Sequence, residues 1–359
     1  MKPLKLVAAN DTFGALQATL DMLEGKHALF VTPPEVNGLM PEVHGLPDEV
    51  SDEVALIVES SGSTGRPKRI ELSANALLAS ATASAEFLGG HGQWLLTLPI
   101  NFIAGMNMLI RSVVADSQPV MMNTQLPFTA EGFARATSML TGEKRYTSLV
   151  PAQLSRLAKA AEQDDYLLSL LKRFDAILVG GQRPDAGLVN RLRGMGIKLV
   201  ESYGMTETAG GCIYDGQALR SVEWKLDAGQ IFISGPTLAN GLGPWFQTND
   251  LGESVEGRLK VLGRADRVII SGGLKVALDL VEESAREIAG VADVVAVAMD
   301  SGWGQSVAIA YVGSPEVSFD SLAILSPAAK PQKVLRLEAL PTLSSGKADL
   351  IAVAELFRQ

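Results

Sequence analysis

Short apolar runs that end at loops rich in glycine or proline recur along much of this chain. The runs VALIVES (54–60), WLLTLP (94–99), DAILVGG (175–181) and IKLVESYG (197–204) are typical of buried strands. Helical patterns such as AQLSRLAKAAEQ (152–163) separate them. Strands that alternate with helices form largely parallel sheets, and ligands gather at the carboxyl ends of those strands. The pattern therefore predicts an α/β fold with its binding site at these strand ends.

Three further elements follow from local side-chain patterns. RIEL (69–72) alternates like a strand, and the alanine-rich segment 73–88 is typical of a helix with Ser73 as its N-cap. In the segment LDLVEESAREIAG, Asp279 is followed three residues later by Glu282. This spacing predicts a capping box at the start of another helix.

The character of the sequence changes towards the C-terminus. From about residue 225 short strands and turns replace the long alternation, and a compact pattern of strands and one helix follows Asp266. A chain of 359 residues is long enough for two domains. We predict a large N-terminal domain with mixed, largely parallel sheets, a small α+β C-terminal domain, and a boundary at GRAD (263–266).

Composition limits the class of partner. The net charge of −9 and the pI near 5.0 argue against nucleic acid or an anionic membrane as the main partner. The single cysteine, Cys212, excludes an internal disulfide and a thiolate zinc site. The first apolar run, LVAA, is too short for a signal peptide, and no run approaches the ~18 apolar residues of a membrane span. We expect a cytoplasmic enzyme without membrane insertion, and its oligomeric state stays open.

The segment VESSGSTGRPKRIELS (58–73) concentrates glycine, hydroxyl and basic residues in one turn. Bare backbone N–H groups and cations in such a turn are typical of phosphate-binding loops. The Walker A pattern is excluded because Pro67 stands where it requires glycine, and the nucleophile-elbow pattern is excluded by Ser61. A plain flexible hairpin is the alternative interpretation. Lys68 and Arg69, directly after the turn, favour an anion-binding loop.

The order of residues in this loop, [ST]-S-G-[ST]-T-G-x-P-K, resembles the phosphate loop of the adenylate-forming enzymes. That family includes acyl-CoA synthetases, peptide-synthetase adenylation domains and luciferases. Further segments resemble the other motifs of the family, in the same order: ESYGMTET (201–208), TNDLGE (248–253), GRLKVLGRADRVIISGG (257–273) and LPTLSSGKADL (340–350). The resemblance implies an enzyme that joins a carboxylic acid to AMP and passes the acyl group to a thiol. It also implies ATP and Mg²⁺, with coenzyme A as a substrate.

The resemblance also implies a division of labour along the chain. Residues 1–263 would form the adenylation domain, 264–266 a hinge with Asp266 as its pivot, and 267–359 a mobile domain that carries the catalytic lysine. The implied ATP-binding residues are Ser60, Ser61, Gly62, Ser63, Thr64, Gly65, Lys68, Gly181, Gln182, Tyr203, Asp250 and Arg264.

Each implied role suits the chemistry of its side chain. A carboxylate and an α-phosphate repel each other, so electrostatic neutralisation is expected to be the main contribution of the enzyme. By resemblance, Thr206 donates a hydrogen bond to the α-phosphate and Glu207 holds Mg²⁺. Lys347 bridges the attacking carboxylate and the phosphate. Tyr203 stacks on adenine, and the two carboxylate oxygens of Asp250 bind both ribose hydroxyls.

Several positions depart from the family pattern. Only 58 residues precede the phosphate loop, whereas many relatives have a much longer N-terminal part, and the loop begins with Glu59 and Ser60. Many relatives carry histidine where this chain has Phe102, which can form a pocket wall but cannot hydrogen-bond a carboxylate. Leu343 replaces the threonine that usually precedes the lysine.

The acid substrate is predicted from two segments and the short N-terminal part. TSLVPAQLSRL (147–157) and YGMTETAGGCIYDG (203–216) resemble the o-succinylbenzoate–CoA ligases of menaquinone biosynthesis, one group of this family. The implied acid-binding residues are Phe102, Ser148, Gly181, Ala209 and Gly210. Ser148 and the neighbouring Thr147 are candidates for binding a second carboxylate of the substrate, or for capping the helix that follows.

Three alternatives remain open on the sequence alone. A ligase for another acyl or aryl acid would share every catalytic motif. A stand-alone adenylation enzyme would load a separate carrier protein instead of coenzyme A. A catalytically silent nucleotide-binding protein would keep the fold alone, although the presence of Glu207, Asp250 and Lys347 argues against it.

The assignment of Lys347 predicts a selective defect. Lys347→Ala should nearly abolish adenylate formation and leave ATP binding largely intact, because the lysine meets charge that develops in the transition state. One such interaction is typically worth about 3–4 kcal/mol. Single-turnover assays of each half-reaction check this, since the variant should still convert supplied acyl-adenylate to thioester. Equal loss of both half-reactions would refute the assignment.

Overall fold

The chain divides into two compact units. The computed structural model describes residues 1–60, 68–301, 304–343 and 348–358. One unit comprises Met1–Trp224 and Ile233–Phe246, and the other comprises Lys225–Phe232 and Gln247–Gln359. The boundary that the sequence predicts at 263–266 lies inside the second unit, and this predicted division stays a prediction. No helix in the described part of the chain has both the length and the apolar character needed to span a membrane.

The first unit begins with a five-stranded sheet in the order β3-β1-β2-β4-β5. Its strands are β1 (Lys2–Ala8), β2 (Ala28–Thr32), β3 (Glu49–Val50), β4 (Leu56–Ser60) and β5 (Lys68–Leu72). The three middle strands are parallel, and the two outer strands are antiparallel to their neighbours. All five residues of β2 are buried, as expected for a central strand covered on both faces.

Helices α1 (Thr12–Leu23) and α2 (Ala74–Phe87) accompany this sheet in the sequence. The predicted N-cap of α2 is confirmed, because the Ser73 hydroxyl accepts a hydrogen bond from the N–H of Ala76 at 3.1 Å. Small alanine and serine residues line the buried side of α2, so neighbouring elements can approach it closely.

The second sheet of this unit has seven strands in the order β12-β11-β10-β9-β8-β6-β7. The strands are β6 (Gln93–Leu96), β7 (Val120–Met121), β8 (Arg145–Leu149), β9 (Ala176–Gly180), β10 (Leu199–Met205), β11 (Gly210–Tyr214) and β12 (Gln217–Ala218). Neighbouring strands from β7 through β6, β8 and β9 to β10 are parallel. Strand β11 is antiparallel to β10, and β12 is antiparallel to β11. The predicted α/β alternation is therefore confirmed, and the carboxyl ends of five parallel strands meet at one edge.

Five helices connect the strands of the second sheet. They are α3 (Ile103–Val114), α4 (Ala130–Ser138), α5 (Pro151–Ala161), α6 (Asp165–Lys172) and α7 (Ala186–Gly194). Leucine, valine and phenylalanine side chains of α4 to α7 form one buried cluster with apolar residues of β6, β8, β9 and β10, which covers one face of the sheet. This packing leaves the loops at the carboxyl ends of the strands available for ligands.

The second unit contains two sheets. A four-stranded sheet orders β13 (Glu223–Asp227), β14 (Gln230–Ser234), β15 (Phe246–Val255) and β16 (Arg258–Arg264) in sequence, and both β13 and β14 cross the division between the units. A further sheet has the order β18-β17-β20-β19 with β21 beside β20. Its strands are β17 (Val268–Ser271), β18 (Leu274–Ala277), β19 (Val291–Ser301), β20 (Gly304–Gly313) and β21 (Lys333–Arg336). Helices α8 (Leu278–Arg286) and α9 (Leu350–Leu356) pack against β19, so the sheet has a helix-covered core.

The predicted capping box of α8 is wrong. The N-cap residue is Ala277, and no side chain caps this end of the helix. Asp279 instead accepts the backbone N–H of Arg264 at 2.6 Å and pairs with Nε of Arg267 at 3.0 Å. Glu282 also pairs with the guanidinium of Arg267, at 2.5 Å. Both carboxylates therefore serve partners from other elements, which the spacing of residues along one helix cannot reveal.

Glu282 is a buried charge with several partners. Its carboxylate accepts hydrogen bonds from Arg267, from Arg286 at 3.3 Å and from the N–H of Ala296 at 2.8 Å. Burial raises the pKa of Glu282, and the two arginines oppose that effect. Loss of one member of such a group leaves the others buried without their partner.

The Glu282 network predicts a large stability effect. Glu282→Ala should lower the free energy of unfolding by about 3–5 kcal/mol, because Arg267 and Arg286 both lose a buried carboxylate, although Arg267 keeps its pair with Asp279. Glu253→Ala is the matched control: it removes an exposed pair with Lys260, and such pairs contribute about 1 kcal/mol or less. Denaturant titration of the full chain, followed by circular dichroism, measures both. Similar losses for the two variants would contradict the role of Glu282.

Candidate active site

The predicted adenine-binding residues lie at the ends of two neighbouring parallel strands. Strand β9 ends at Gly180, and Gly181 and Gln182 follow it on the surface. The Cα atoms of Gly180 and Ser202 are register partners, so the residue after Ser202, Tyr203, lies close to this turn. Gly181 has φ +83°, a conformation that glycine adopts without strain. The structure therefore brings these three predicted residues together.

The turn after β10 holds the predicted α-phosphate and Mg²⁺ residues. Thr206 and Glu207 lie in a short 3₁₀ turn, with Thr206 buried and Glu207 half-buried. The hydroxyl of Thr208 stabilises this turn from within, because it accepts the N–H of Met205 at 3.0 Å and donates to the carbonyl of Gly210 at 2.7 Å. The turn is thus fixed by its own hydrogen bonds.

Two predicted acid-binding residues follow directly and have unusual backbone conformations. Ala209 is fully buried and left-handed, with φ +50° and ψ +37°. Its carbonyl accepts hydrogen bonds from Asn107 Nδ2 at 2.9 Å and Ser80 Oγ at 3.1 Å. Gly210 has φ +92°, and a Cβ added there would overlap Nδ2 of Asn107 and lie 3.7 Å from Ile103 Cγ1. Ala209 and Gly210 therefore lie against the start of α3.

The other predicted acid-binding residues lie nearby in the same unit. Phe102 is the half-buried N-cap residue of α3, next to Ile103. Ser148 is buried on β8, and its carbonyl accepts a hydrogen bond from the Thr97 hydroxyl. A Cβ added at Gly181 would lie 3.7 Å from the side chain of Val150, two residues after Ser148. The predicted acid-binding residues therefore lie in turns and strand ends of the first unit, and the acid pocket stays a prediction.

The alternative role of Thr147 and Ser148 as helix caps is wrong. The N-cap of α5 is Val150, and its N–H donates to Oε1 of Gln153 at 3.1 Å. The Thr147 hydroxyl donates to the carbonyl of Leu95 on β6 at 2.8 Å, so it connects neighbouring strands. Its engagement across the sheet leaves Ser148 as the candidate that the sequence assigned to the acid pocket.

In the second unit, the structure pairs the predicted ribose residue with the predicted hinge arginine. Asp250 on β15 and Arg264 on β16 are register partners. The guanidinium of Arg264 forms two hydrogen bonds with the carboxylate of Asp266, at 2.7 and 2.5 Å. The hydrogen bonds from Arg264 lower the pKa of Asp266, and the same contact raises the pKa of Arg264. The predicted nucleotide-binding arginine is therefore held by the predicted hinge aspartate.

Part of the predicted site lies outside the described residues. These are Ser61, Gly62, Ser63, Thr64 and Gly65 of the predicted phosphate loop, and the predicted catalytic Lys347. The residues that flank the loop are described: Ser60 and Lys68 face each other on β4 and β5, and the Ser60 hydroxyl donates to the carbonyl of Lys68 at 3.4 Å.

The residues present fit a Mg²⁺ ion that is bound together with a phosphate ligand. Among the described residues, no group of three or more His, Cys, Asp or Glu side chains is placed to hold a metal ion by itself. Mg²⁺ usually keeps several waters and uses one or two protein carboxylates together with substrate phosphates. The single half-buried carboxylate of Glu207 in a well-fixed turn suits that mode.

Arg111 is a functional candidate that sequence reasoning missed. It is 6% exposed in α3, and its guanidinium donates to the hydroxyls of Ser84 and Tyr214, both at 3.0 Å. The guanidinium carbon also lies 4.9 Å from the centroid of the Trp94 ring. Within the described residues, no carboxylate forms an ion pair with Arg111, and its Nε has no hydrogen-bond partner. The sequence signal that could have found it is an arginine inside the apolar run NMLIRSVV.

The half-buried Glu207 and the left-handed Ala209 lie at the carboxyl end of a parallel strand, where the ligands of α/β enzymes bind. Residues 11–242 match the family described as "AMP-binding enzyme", and the chain belongs to this family.

Individual proteins of known name are similar to this chain in sequence and in fold. The chain is 36% identical to the "Probable 2-succinylbenzoate--CoA ligase" of Mycobacterium tuberculosis (strain CDC 1551 / Oshkosh) over 381 residues, which cover 99% of this chain and 98% of that protein. Its fold is similar to that of o-succinylbenzoate CoA synthetase (MenE) from Bacillus subtilis in complex with the acyl-adenylate intermediate OSB-AMP. That match has a TM-score of 0.74 and 24% identity, and covers 94% of this chain and 80% of the other. The same Bacillus enzyme in complex with ATP and magnesium ion matches with a TM-score of 0.72 and 22% identity, over 94% and 81% of the two chains. The structural matches confirm the predicted α/β fold.

The close contact between β10 and β11 predicts that any side chain larger than that of glycine at position 204 destabilises the protein. A Cβ at Gly204 would overlap the carbonyl oxygen of Gly210 and lie 2.7 Å from Cα of Gly211. These are backbone atoms of the neighbouring strand, so Gly204→Ala should lower the free energy of unfolding by about 1–3 kcal/mol and weaken ATP binding. Gly194→Ala in α7 is the matched control, because no atom lies within 4 Å of its added Cβ. Denaturant titration and calorimetric titration with ATP measure the two effects, and equal behaviour of the variants would refute this explanation.

Proposed function

We propose that this protein is an ATP-dependent, AMP-forming ligase that activates o-succinylbenzoate for menaquinone biosynthesis. In the first half-reaction, the succinyl carboxylate attacks the α-phosphate of ATP and pyrophosphate leaves. In the second, the thiol of coenzyme A attacks the acyl carbon and AMP leaves with the bonding electron pair. Membership of the AMP-binding enzyme family and 36% identity to a probable 2-succinylbenzoate–CoA ligase, over 99% of the chain, support this proposal.

The first half-reaction needs two anions to approach each other. We assign Thr206 to the α-phosphate and Glu207 to Mg²⁺, and both side chains lie in the turn that Thr208 stabilises. When bound, Mg²⁺ neutralises phosphate charge and orients the phosphate oxygens. Lys347 is the proposed cation that meets the developing charge between carboxylate and phosphate.

The nucleotide is assigned to the residues that the family resemblance implies. Tyr203, Gly181 and Gln182 would bind adenine, since they converge at the ends of β9 and β10. Asp250 would bind the ribose hydroxyls. Arg264 would contact the ribose or a phosphate after it leaves Asp266. The triphosphate loop comprises Ser60, Ser61, Gly62, Ser63, Thr64, Gly65 and Lys68.

The buried charge of Arg111 is the observation that carries the choice of acid. A guanidinium that is 94% removed from solvent normally has a carboxylate partner, because an uncompensated buried charge costs several kcal/mol. Here the described protein groups provide two hydroxyls and an aromatic face. Arg111 lies one helical turn after Asn107, which contacts Ala209 at the predicted acid pocket. We assign the aromatic carboxylate of the substrate to Arg111.

The remaining assignments complete the proposal. The adenylation domain would span 1–263, the hinge 264–266 with Asp266 as its pivot, and the mobile domain 267–359. The substrates ATP and coenzyme A support a cytoplasmic location, and the acidic composition supports small molecules rather than nucleic acid as partners.

An exchange assay distinguishes the alternatives. Acid-dependent ATP–pyrophosphate exchange would exclude a silent nucleotide-binding protein. A panel of acyl and aryl acids would identify another substrate, and product analysis with coenzyme A or a carrier protein would identify the acceptor.

The assignment of Arg111 predicts a loss of discrimination between two acids. The unaltered protein should use o-succinylbenzoate about 10⁴-fold better, in kcat/KM, than benzoylpropionate, which lacks the aromatic carboxylate. Arg111→Met should remove most of this advantage, because the second carboxylate then enters a site without a cation. Acid-dependent ATP–pyrophosphate exchange measures both substrates. If Arg111→Met slows both acids equally, the assignment of Arg111 is wrong. If benzoylpropionate matches o-succinylbenzoate with the unaltered protein, the proposed substrate is wrong.

A further inference from the structure

One carbonyl oxygen behind the predicted active-site turn receives side-chain hydrogen bonds from two different helices. Ser80 of α2 and Asn107 of α3 both donate to the carbonyl of Ala209. Ser80 is fully buried and Asn107 is 3% exposed, so water does not compete for this acceptor. The carbonyl lies 129 and 102 residues from the two donors along the chain.

The acceptor belongs to a strained residue. Ala209 is left-handed, which costs a residue with a Cβ about 1–2 kcal/mol. A buried hydrogen bond contributes about 1 kcal/mol. The two donors therefore supply about as much stabilisation as this backbone conformation costs. Loss of either donor would allow the turn to relax towards an ordinary conformation.

Relaxation at Ala209 would move the residues that meet the substrate. The N–H of Ala209 donates to the carbonyl of Thr206 at 3.1 Å, which closes the turn that contains Glu207. The carbonyl of Glu207 in turn accepts the N–H of Ala239 at 2.9 Å. A displacement of about 1 Å in such a site can cost about 10²-fold in rate.

Without the hydrogen bond to Ala209, a buried amide at position 107 would lower the stability of the protein. Along α3, Asn107 is flanked by Met106, Met108 and Leu109, which are also buried. A buried amide without a compensating hydrogen bond costs about 1–3 kcal/mol, so an apolar residue would pack there at lower cost. The amide therefore has a use that an apolar side chain would not provide.

We propose that Asn107 and Ser80 are positioning residues for the adenylation step, which hold Ala209 left-handed and thereby place Thr206 and Glu207. This inference rests on the proposed function. It assigns no substrate contact to either residue.

The test combines a loss, a rescue and a control. Asn107→Ala should lower kcat of acid-dependent ATP–pyrophosphate exchange by about 10- to 100-fold, with KM for ATP changed less than about threefold. Adding Ala209→Gly to this variant should restore at least about fivefold of the rate, because glycine adopts the left-handed conformation without the Cβ penalty. Ser112→Ala is the matched control and should leave kcat unchanged, since its buried hydroxyl donates within α3 to the carbonyl of Met108.

A readout without substrate separates this inference from the proposed function. Hydrogen–deuterium exchange at the amides of 206–210 should be at least about tenfold faster in Asn107→Ala than in Ser112→Ala. Undiminished kcat in Asn107→Ala, or unchanged amide exchange, would overturn the inference while the proposed function stands. A main effect on KM for ATP, or no rescue by Ala209→Gly, would also overturn it. If the unaltered protein gives no exchange reaction with any acid, the proposed function fails and this inference falls with it.

Discussion

The hydrogen bonds that end on the carbonyl of Ala209 join three elements of the first unit. Helices α2 and α3 provide the donors, and the acceptor precedes β11. One helical turn further along both helices, Ser84 and Arg111 meet the hydroxyl of Tyr214 at the other end of β11. The two levels form a buried polar seam behind the predicted active-site turn. Because a buried polar group is costly without a partner, these hydrogen bonds favour one arrangement of the elements, and Nε of Arg111 is the atom that they leave without a partner.

Each unit contains a buried charged side chain, and the two charges have different kinds of partner. In the second unit, the carboxylate of Glu282 lies among two guanidinium groups and a backbone N–H, so its charge is compensated by the protein. In the first unit, Arg111 has hydroxyls and the Trp94 ring as its described partners. A cation–π contact and neutral hydrogen bonds stabilise a guanidinium less than a carboxylate does. The charge of Glu282 is therefore compensated within the protein, whereas no carboxylate among the described residues pairs with Arg111.

Local patterns were sufficient for much of the fold and for the location of the candidate site. The sequence predicts a helix over 73–88 with Ser73 as its N-cap, and the structure has this helix at Ala74–Phe87 with that cap, because the capping contact spans only three residues. The strands that end near Gly181 and Tyr203 were predicted from apolar runs, and parallel strands bring their carboxyl ends to one edge. The sequence therefore places the motif around Glu207 in a turn at that edge, as the structure does.

The sequence by itself thus determined the order of the strands and helices, the α/β class and the family motifs, because periodicity and motif spacing are properties of neighbouring residues. Only the tertiary structure decided which polar groups meet. Asp279 and Glu282 have capping-box spacing, yet both bind Arg267, which approaches from a different element. Asn107 and Ala209 are 102 residues apart, and no local pattern joins them. Their contact depends on how α3 packs against β11, and the burial that results makes each unmet hydrogen bond too costly to leave unpaired.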